Sequence, residues 1–309
     1  MPLIRRFSRT ALTLCLASCL GAFLARPAVS APYPFCVGKS ADRNLTLLLL
    51  DTRAVVIGVL RVNKDKLRSD MRTDSVGYVS FPFNVLRTLG GKVSNNISIR
   101  YYTEDIWHEV PSEKLISLGG RKSVAFLTKG DDDNYYFAGH TADALQPATE
   151  ETVSAVEAEL RRQWAILKLW KVDRTLPKYD TVEALISELV QIPRPTGYGD
   201  DGPRDRQYAI FRKLEGLGKA AVPAIVMQMD DRRPLAVHQI ELESNYPGAF
   251  EGIRHYSPEV VADALANILN QVEGPVFDNI LSGGPEVARR SAIDAWRVYV
   301  ADLLCYGRS

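Results

Sequence analysis

The densest cluster of reactive side chains is the stretch EGIRHYSPE, residues 251–259. Glu251, Arg254, His255, Tyr256 and Glu259 bring acid, cation, imidazole and phenol close together in sequence. Histidine changes charge near neutral pH, so His255 would transfer protons if a carboxylate such as Glu251 fixed its tautomer. Arg254 would hold an anionic group of a substrate in its planar fork. That is the outline of a hydrolytic site without a nucleophile. Read as structure, the same letters form a polar entry to a helix, with Ser257 as cap and Pro258 in the first turn. The structural reading is preferred, so no catalytic residue is favoured.

His238 and Glu241 stand at i,i+3, a spacing that shares one face of a helix. With His255 they would make a metal site if the fold joined the two segments. The sequence holds only four histidines, and none forms an HxH or HExxH pair. No CxxC spacing or serine-hydrolase elbow is present, and GYGDDGPRD lacks the Lys-Ser/Thr ending of a phosphate loop. Asp131, Asp132 and Asp133 offer oxygen atoms to Ca²⁺ but lack the glycine and terminal glutamate of an EF-hand. They read as a solvated hairpin tip. No metal and no cofactor are expected.

Contact residues are a stronger expectation than catalytic ones. Trp107, Tyr135 and Tyr136, with Tyr101 and Tyr102, offer large amphipathic area at strand edges. Arg194, Tyr198 and Arg204 belong to IPRPTGYGDDGPRD, residues 192–205. Its Pro and Gly break regular structure, and so long an irregular insertion in a helical module suits a binding loop. Arg161 and Arg162, by contrast, read as a solvated helix face.

Residues 1–31 are set apart by their order. MPLIRRFSRT is basic, ALTLCLASCLGAFLA is uncharged and mostly apolar, and RPAVSA is rich in small residues. This is the order of a secretory signal, and the apolar run is short for a membrane span. Two mature ends fit. VSA, at Val29–Ala31, looks like a signal-peptidase site, and LASC resembles a lipobox in which Cys19 is lipidated and anchors the chain. Either leaves Cys36 and Cys305, which an oxidising compartment would let pair. A bond closing so long a loop would stabilise by ~4 kcal/mol in the chain-entropy model. Removing residues 1–31 takes away four arginines and no acid, so the formal charge passes from +1 to −3. That balance argues against a general nucleic-acid binder.

The elements that must position these residues fall into two groups. From about residue 38 to 145 short β-rich stretches dominate, beginning with NLTLLLLDTRAVVIGVLRVN, where Gly58 suits a bulge or close packing. NNISIRYY alternates through Ile97, Ile99 and Tyr101, and KSVAFLTKG and DDDNYYFAG read as two strands across an acidic turn. Thr149 then caps a helix that covers the sheet or connects it to the next module. Further amphipathic helices follow, with stripes through Val182, Leu185, Ile186 and Leu189, through Tyr208, Ile210, Phe211 and Leu214, through Val261, Leu265 and Leu269, and through Ile293, Trp296 and Val300. DDRRPLAVHQIEL reads as one more turn and short helix.

Within this half, LEGLGKAAVPAIVMQMDD, residues 214–231, has Leu214, Leu217, Gly218, Ala221, Val222, Pro223 and Ile225 as a glycine turn and a small apolar inner helix. It resembles a HEAT repeat over residues 181–245. The resemblance implies stacked helix pairs that hold proteins or other ligands. The expected fold is therefore α+β: a small antiparallel sheet or partly open barrel, then a HEAT-like helical module. Its divisions are a signal region 1–31, a strand-rich domain 32–148, a connecting helix 149–175 and a helical domain 176–309. The expected function is an exported, noncatalytic protein-binding or scaffold protein of the bacterial envelope, possible partners being other envelope or secreted proteins. An immunity-like protein that holds a toxin fits. The alternative is a periplasmic hydrolase built on His255, Arg254 and Glu251.

Overall fold

Asp42 starts the first element. Its carboxylate accepts the backbone N–H groups of Asn44 (2.8 Å) and Leu45 (3.2 Å), which turns the leucine-rich run after it into α1 (Arg43–Leu50). The sequence reading placed this run among the strands; an N-cap decided otherwise, because it satisfies donors that a strand would have left to a neighbour. The structure is a computed structural model describing residues 33–65, 67, 77–102, 110–130, 134–197, 199–243, 252–274, 276–277 and 281–307. Residues Pro32–Ser309 form one compact unit, and residues 1–32 lie outside the described ones.

Five strands close into a small barrel. β1 (Ala54–Leu60), β2 (Tyr78–Gly90) and β3 (Asn96–Tyr102) form an antiparallel meander, and α2 (Ser112–Leu118) leads into β4 (Lys122–Lys129). β4 returns antiparallel to β1, and β5 (Tyr135–Phe137) bridges β4 to β3, where Ile99 and Tyr135 make a parallel contact. β6 (Leu145–Pro147) adds to the far edge of β4 beside β5. The order β1-β2-β3-β5-β4-β1, with a helix between β3 and β4, is the connectivity of a Greek-key barrel of the OB type. Connectivity by itself assigns no ligand.

Alternation fills the barrel: Val79, Phe81 and Phe83 of β2 and Ile97, Ile99 and Tyr101 of β3 are buried, while the residues between them face out. Gly58 is required by close packing. A β-carbon there would lie 2.2 Å from the Phe83 ring, and the β1–β2 register shifts beside it, as a bulge requires.

α3 (Glu150–Leu169) both covers the barrel and joins the helices. Thr149 Oγ1 accepts the Thr152 N–H (3.1 Å) as its cap. Val156 belongs to the barrel core, whereas Ile166 belongs to a second core built from α4 (Tyr179–Val190), α5 (Gly202–Gly216), α6 (Val222–Val226), α7 (Val261–Glu273) and α8 (Glu286–Tyr306). Between α5 and α6 the chain turns at Gly218, whose φ of 65° favours a residue without a side chain. Residues Ile240–Glu243 and Ile253–Tyr256 pair as the hairpin β7–β8, where the sequence reading expected helical turns. Its alternating burial accounts for the difference: Ile240 and Leu242 point into the helical core while Glu241 and Glu243 are exposed, which is the period of a strand.

α7 also starts later than Ser257 predicts. Its cap position is Val260, a side chain without an acceptor, and Asp263 does the work instead by accepting the N–H groups of Glu259 (3.0 Å) and Val260 (3.2 Å). Asp263 is fully buried, and Arg289 of α8 neutralises it through two hydrogen bonds of 2.7 and 3.0 Å. Arg289 also reaches Glu286, which in turn receives Arg232 and Arg290.

One charged node joins the two halves. Arg162 of α3 donates to both oxygens of Glu159 (2.8 Å each) and to both oxygens of Asp302 in α8 (2.6 and 3.0 Å). Thr46 of α1 and Gln163 also donate to Glu159, at 2.9 and 3.0 Å. The Arg162 and Glu159 side chains are only 9% and 6% exposed. This corrects the sequence reading, which took Arg162 as solvated; only its neighbour Arg161 is, at 71%. Beside the node, Cys36 and Cys305 are disulfide-bonded across 269 residues of chain, which realises a pairing that the sequence allowed without deciding. Gly38 next to Cys36 donates its N–H to the Tyr306 hydroxyl (2.8 Å).

Arg162→Ala leaves Glu159 buried without its cation and is expected to cost about 3–5 kcal/mol. Arg161→Ala should stay within about 0.5 kcal/mol. Urea denaturation of the two variants measures both. Hydrogen bonds from Arg232, Arg290 and Arg289 hold the Glu286 carboxyl down at about 2, below its ordinary 4.5. A depressed carboxylate stabilises fully above its unfolded value, and that contribution is lost as pH falls from about 4.5 towards 2. Glu286→Gln is therefore expected to show a shallower loss of stability across that window than the parent chain in acid titrations followed by circular dichroism.

Candidate functional site

The outward positions of β2 and β3 carry the first candidate. Register pairs Tyr78 with Tyr102 and Ser80 with Arg100, so alternation places all four on the outside of the barrel. The Tyr78 and Tyr102 rings lie 5.1 Å apart, and Tyr136 of β5 meets Tyr78 edge-on at 6.2 Å. The Arg100 guanidinium carbon sits 4.3 Å from the Tyr78 ring centroid. Tyr78 is 51% exposed at the centre of this group. Flat aromatic area beside a cation-π guanidinium suits contact with another molecule and supplies neither a nucleophile nor a proton relay.

The structure divides the aromatic residues named from the sequence. Tyr136 joins the outer group, whereas Tyr135 is half-buried against the barrel core and Tyr101 is buried within it. Trp107 lies outside the described residues, as do His108 and Asp131–Asp133. Sequence reasoning missed Tyr78 and Arg100. Their signal was the alternation of YVSFPF against SIRYY, which sets outward residues of two strands side by side once the strands pair.

The second candidate is an open groove between the start of α5 and the exposed side of β7–β8. Arg204, Tyr208, Glu241, Glu243, Ile253 and His255 line it. Arg212 donates to the Tyr208 hydroxyl (2.8 Å) and stacks on its ring at 5.1 Å. His255 Nδ1 lies 3.2 Å from Glu241 Oε1, because the hairpin register puts these residues opposite each other. A carboxylate does face the imidazole, as the hydrolytic reading requires, but it is Glu241. Glu251 lies outside the described residues. Arg254, adjacent on the same strand, points away from the side His255 occupies.

Both members of the pair are largely in water, His255 at 74% and Glu241 at 65% exposed. A general base that works by a low-dielectric surrounding finds none here. His238 lies in irregular chain before β7 and Glu241 on the strand, so their i,i+3 relation is not that of a helix face. Among the described residues no group of three His, Cys, Asp or Glu side chains could hold a metal ion.

The irregular connection at residues 192–201 is organised by Asp200, whose carboxylate accepts both the N–H and the hydroxyl of Thr196 at 2.9 Å. Those hydrogen bonds hold the Asp200 carboxyl below its ordinary value. Arg194 is exposed on this loop, Arg204 lines the groove, and Tyr198 lies outside the described residues. The residues named as one binding loop are thus divided between two surfaces.

No family model, no curated protein and no solved structure matches the chain.

Proposed function

We propose that the protein is an exported, noncatalytic protein-binding component of a bacterial envelope, and that it contacts its partner through the outer β2–β3 face of the barrel. The observation that carries this reading is the Tyr78, Tyr102, Tyr136 and Arg100 cluster, centred on a half-exposed ring. Tyrosine and arginine are the residue types that dominate the energetics of protein interfaces. In OB-type barrels the β2–β3 face binds oligonucleotides and oligosaccharides, so this position is a contact surface of the architecture while the residues on it decide the occupant. The formal charge of −3 without residues 1–31 disfavours a polyanionic ligand such as nucleic acid. Export is supported by the order of the first 31 residues and by the Cys36–Cys305 disulfide, a bond that persists in oxidising compartments. The helical half, with its HEAT-like α5–α6 turn, serves as a rigid support and second docking surface. Among the described residues no helix is long and apolar enough to cross a membrane.

A photo-crosslinking residue in place of Tyr78, in the native host, is expected to capture a partner protein. Combining it with Arg100→Ala and Tyr136→Ala should lower the adduct yield at least tenfold. Absence of any adduct, while a control complex crosslinks, would sink the reading.

A second reading, a periplasmic hydrolase, is favoured by the Glu241–His255 pair in its groove. It expects an activity in a broad hydrolase screen that His255→Gln abolishes while the circular dichroism spectrum and unfolding midpoint stay the same. An activity indifferent to that substitution removes His255 from consideration.

A further inference from the structure

The C-terminal end of α3 carries an indole that the two cores do not use. Trp164 is 64% exposed, and the Lys168 ammonium lies 4.8 Å from its ring centroid. On α3 the buried positions are Val156, Glu159, Gln163 and Ile166. The helical period sets Trp164 and Lys168 opposite these, along with Arg161. Just beyond the helix come Lys171, Val172, Arg174 and Lys178, all exposed.

The charge on this stretch is one-sided. Residues 161–178 contain six cations, of which Arg162 is turned inward onto Glu159 and Asp302. The other five are exposed, and Arg161 lies 3.9 Å from the Glu157 carboxylate one turn earlier. Asp173 is the one carboxylate in the stretch, and it accepts the N–H and hydroxyl of Thr175 at 2.8 and 2.7 Å. An exposed indole, two exposed aliphatic side chains (Leu169 and Val172) and a set of cations is the chemistry of a surface that rests on anionic headgroups.

The first described residues lie at the same end of α3. Tyr33 stacks on Phe35 at 5.0 Å, and Phe35 stacks on Trp170 at 4.8 Å. Trp170 is the residue that ends α3. The segment before Tyr33 includes the uncharged apolar run at 11–25 and Cys19. Thirteen residues lie between Cys19 and Tyr33, a reach on the order of 50 Å at most.

We propose that the Trp164 face, with Arg161, Lys168, Lys171, Val172 and Arg174, is a docking surface for an anionic lipid bilayer. It is a surface separate from the Tyr78 cluster and does not depend on that cluster's role. Trp164 sits among the acyl-chain boundary groups, and the lysines and arginines meet phosphate oxygens.

The test uses the full chain as its host processes it, with Trp164→Cys carrying an environment-sensitive apolar dye in place of the indole. Vesicles of phosphatidylethanolamine and phosphatidylglycerol (3:1) should shift the dye's emission to the blue, and phosphatidylcholine vesicles should not. Lys168→Gln with Lys171→Gln should raise the lipid concentration for half-response about 25-fold, at about fivefold per charge. A silent dye on anionic vesicles overturns the proposal. So does an equal response on phosphatidylcholine, or an equal response from a dye on Ile253→Cys, since a leader alone would tether both sites alike. A label at residue 164 that ignores vesicles but crosslinks to an acidic protein in host extract assigns the face to a protein instead, and also overturns it.

Discussion

The two halves hold together because a buried guanidinium has nowhere to go but its carboxylates. Arg162, Glu159 and Asp302, with Thr46 and Gln163, join α1, α3 and α8 at one point. Taking such charges out of water costs several kcal/mol per ion, and only complete hydrogen bonding offsets it. That requirement is directional, unlike the contact of apolar surfaces, so it fixes how the C-terminal helix lies against the helix that roofs the barrel. Burial works against the Arg162 charge, but hydrogen bonds to Glu159 and Asp302 outweigh it and tighten its hold on the proton. The Cys36–Cys305 bond stands beside this node and ties the segment before α1 to the last turn of α8.

With the halves so fixed, α3 divides its surface by function. Its inner side belongs first to the barrel core and then to the helical core, as Val156 and Ile166 show. Its outer side is released from packing, and there the chain places Trp164 among cations. The barrel makes a similar division by alternation, with Phe81 and Ile99 filling the interior and Tyr78, Tyr102 and Arg100 gathered outside. Both surfaces consist of aromatic rings paired with cations, and neither brings a nucleophile to an activated base.

Much of the fold was legible. The long amphipathic stretches became helices because their apolar period is carried by many residues at once: Val182, Leu185, Ile186 and Leu189 are all buried. The strands around Ile97 and Phe126 were equally plain. Errors fell where few residues decide. One aspartate at 42 converts a leucine run into a helix, and four alternating residues at 240–243 form a strand where a helical spacing had been assumed. The candidate sites were less legible than the fold. Tyr136 was recognised singly, but its neighbour Tyr78 comes from another strand, and Arg204 of α5 shares its groove with Glu241 of β7.

By itself the sequence determined the α+β division, the helical stripes and the absence of any standard catalytic spacing. It also supplied Cys36 and Cys305, far apart in the chain. Only tertiary structure decided that those cysteines meet, that β3 and β5 close the barrel, that His255 faces Glu241 and that Arg162 is buried while Arg161 is not. The physical reason is common to all four. Local patterns record which side of an element avoids water, and they do so through residues close in sequence. Pairing across strands, ions and sulfur atoms depends on residues up to 269 positions apart, whose distance in space no local period encodes.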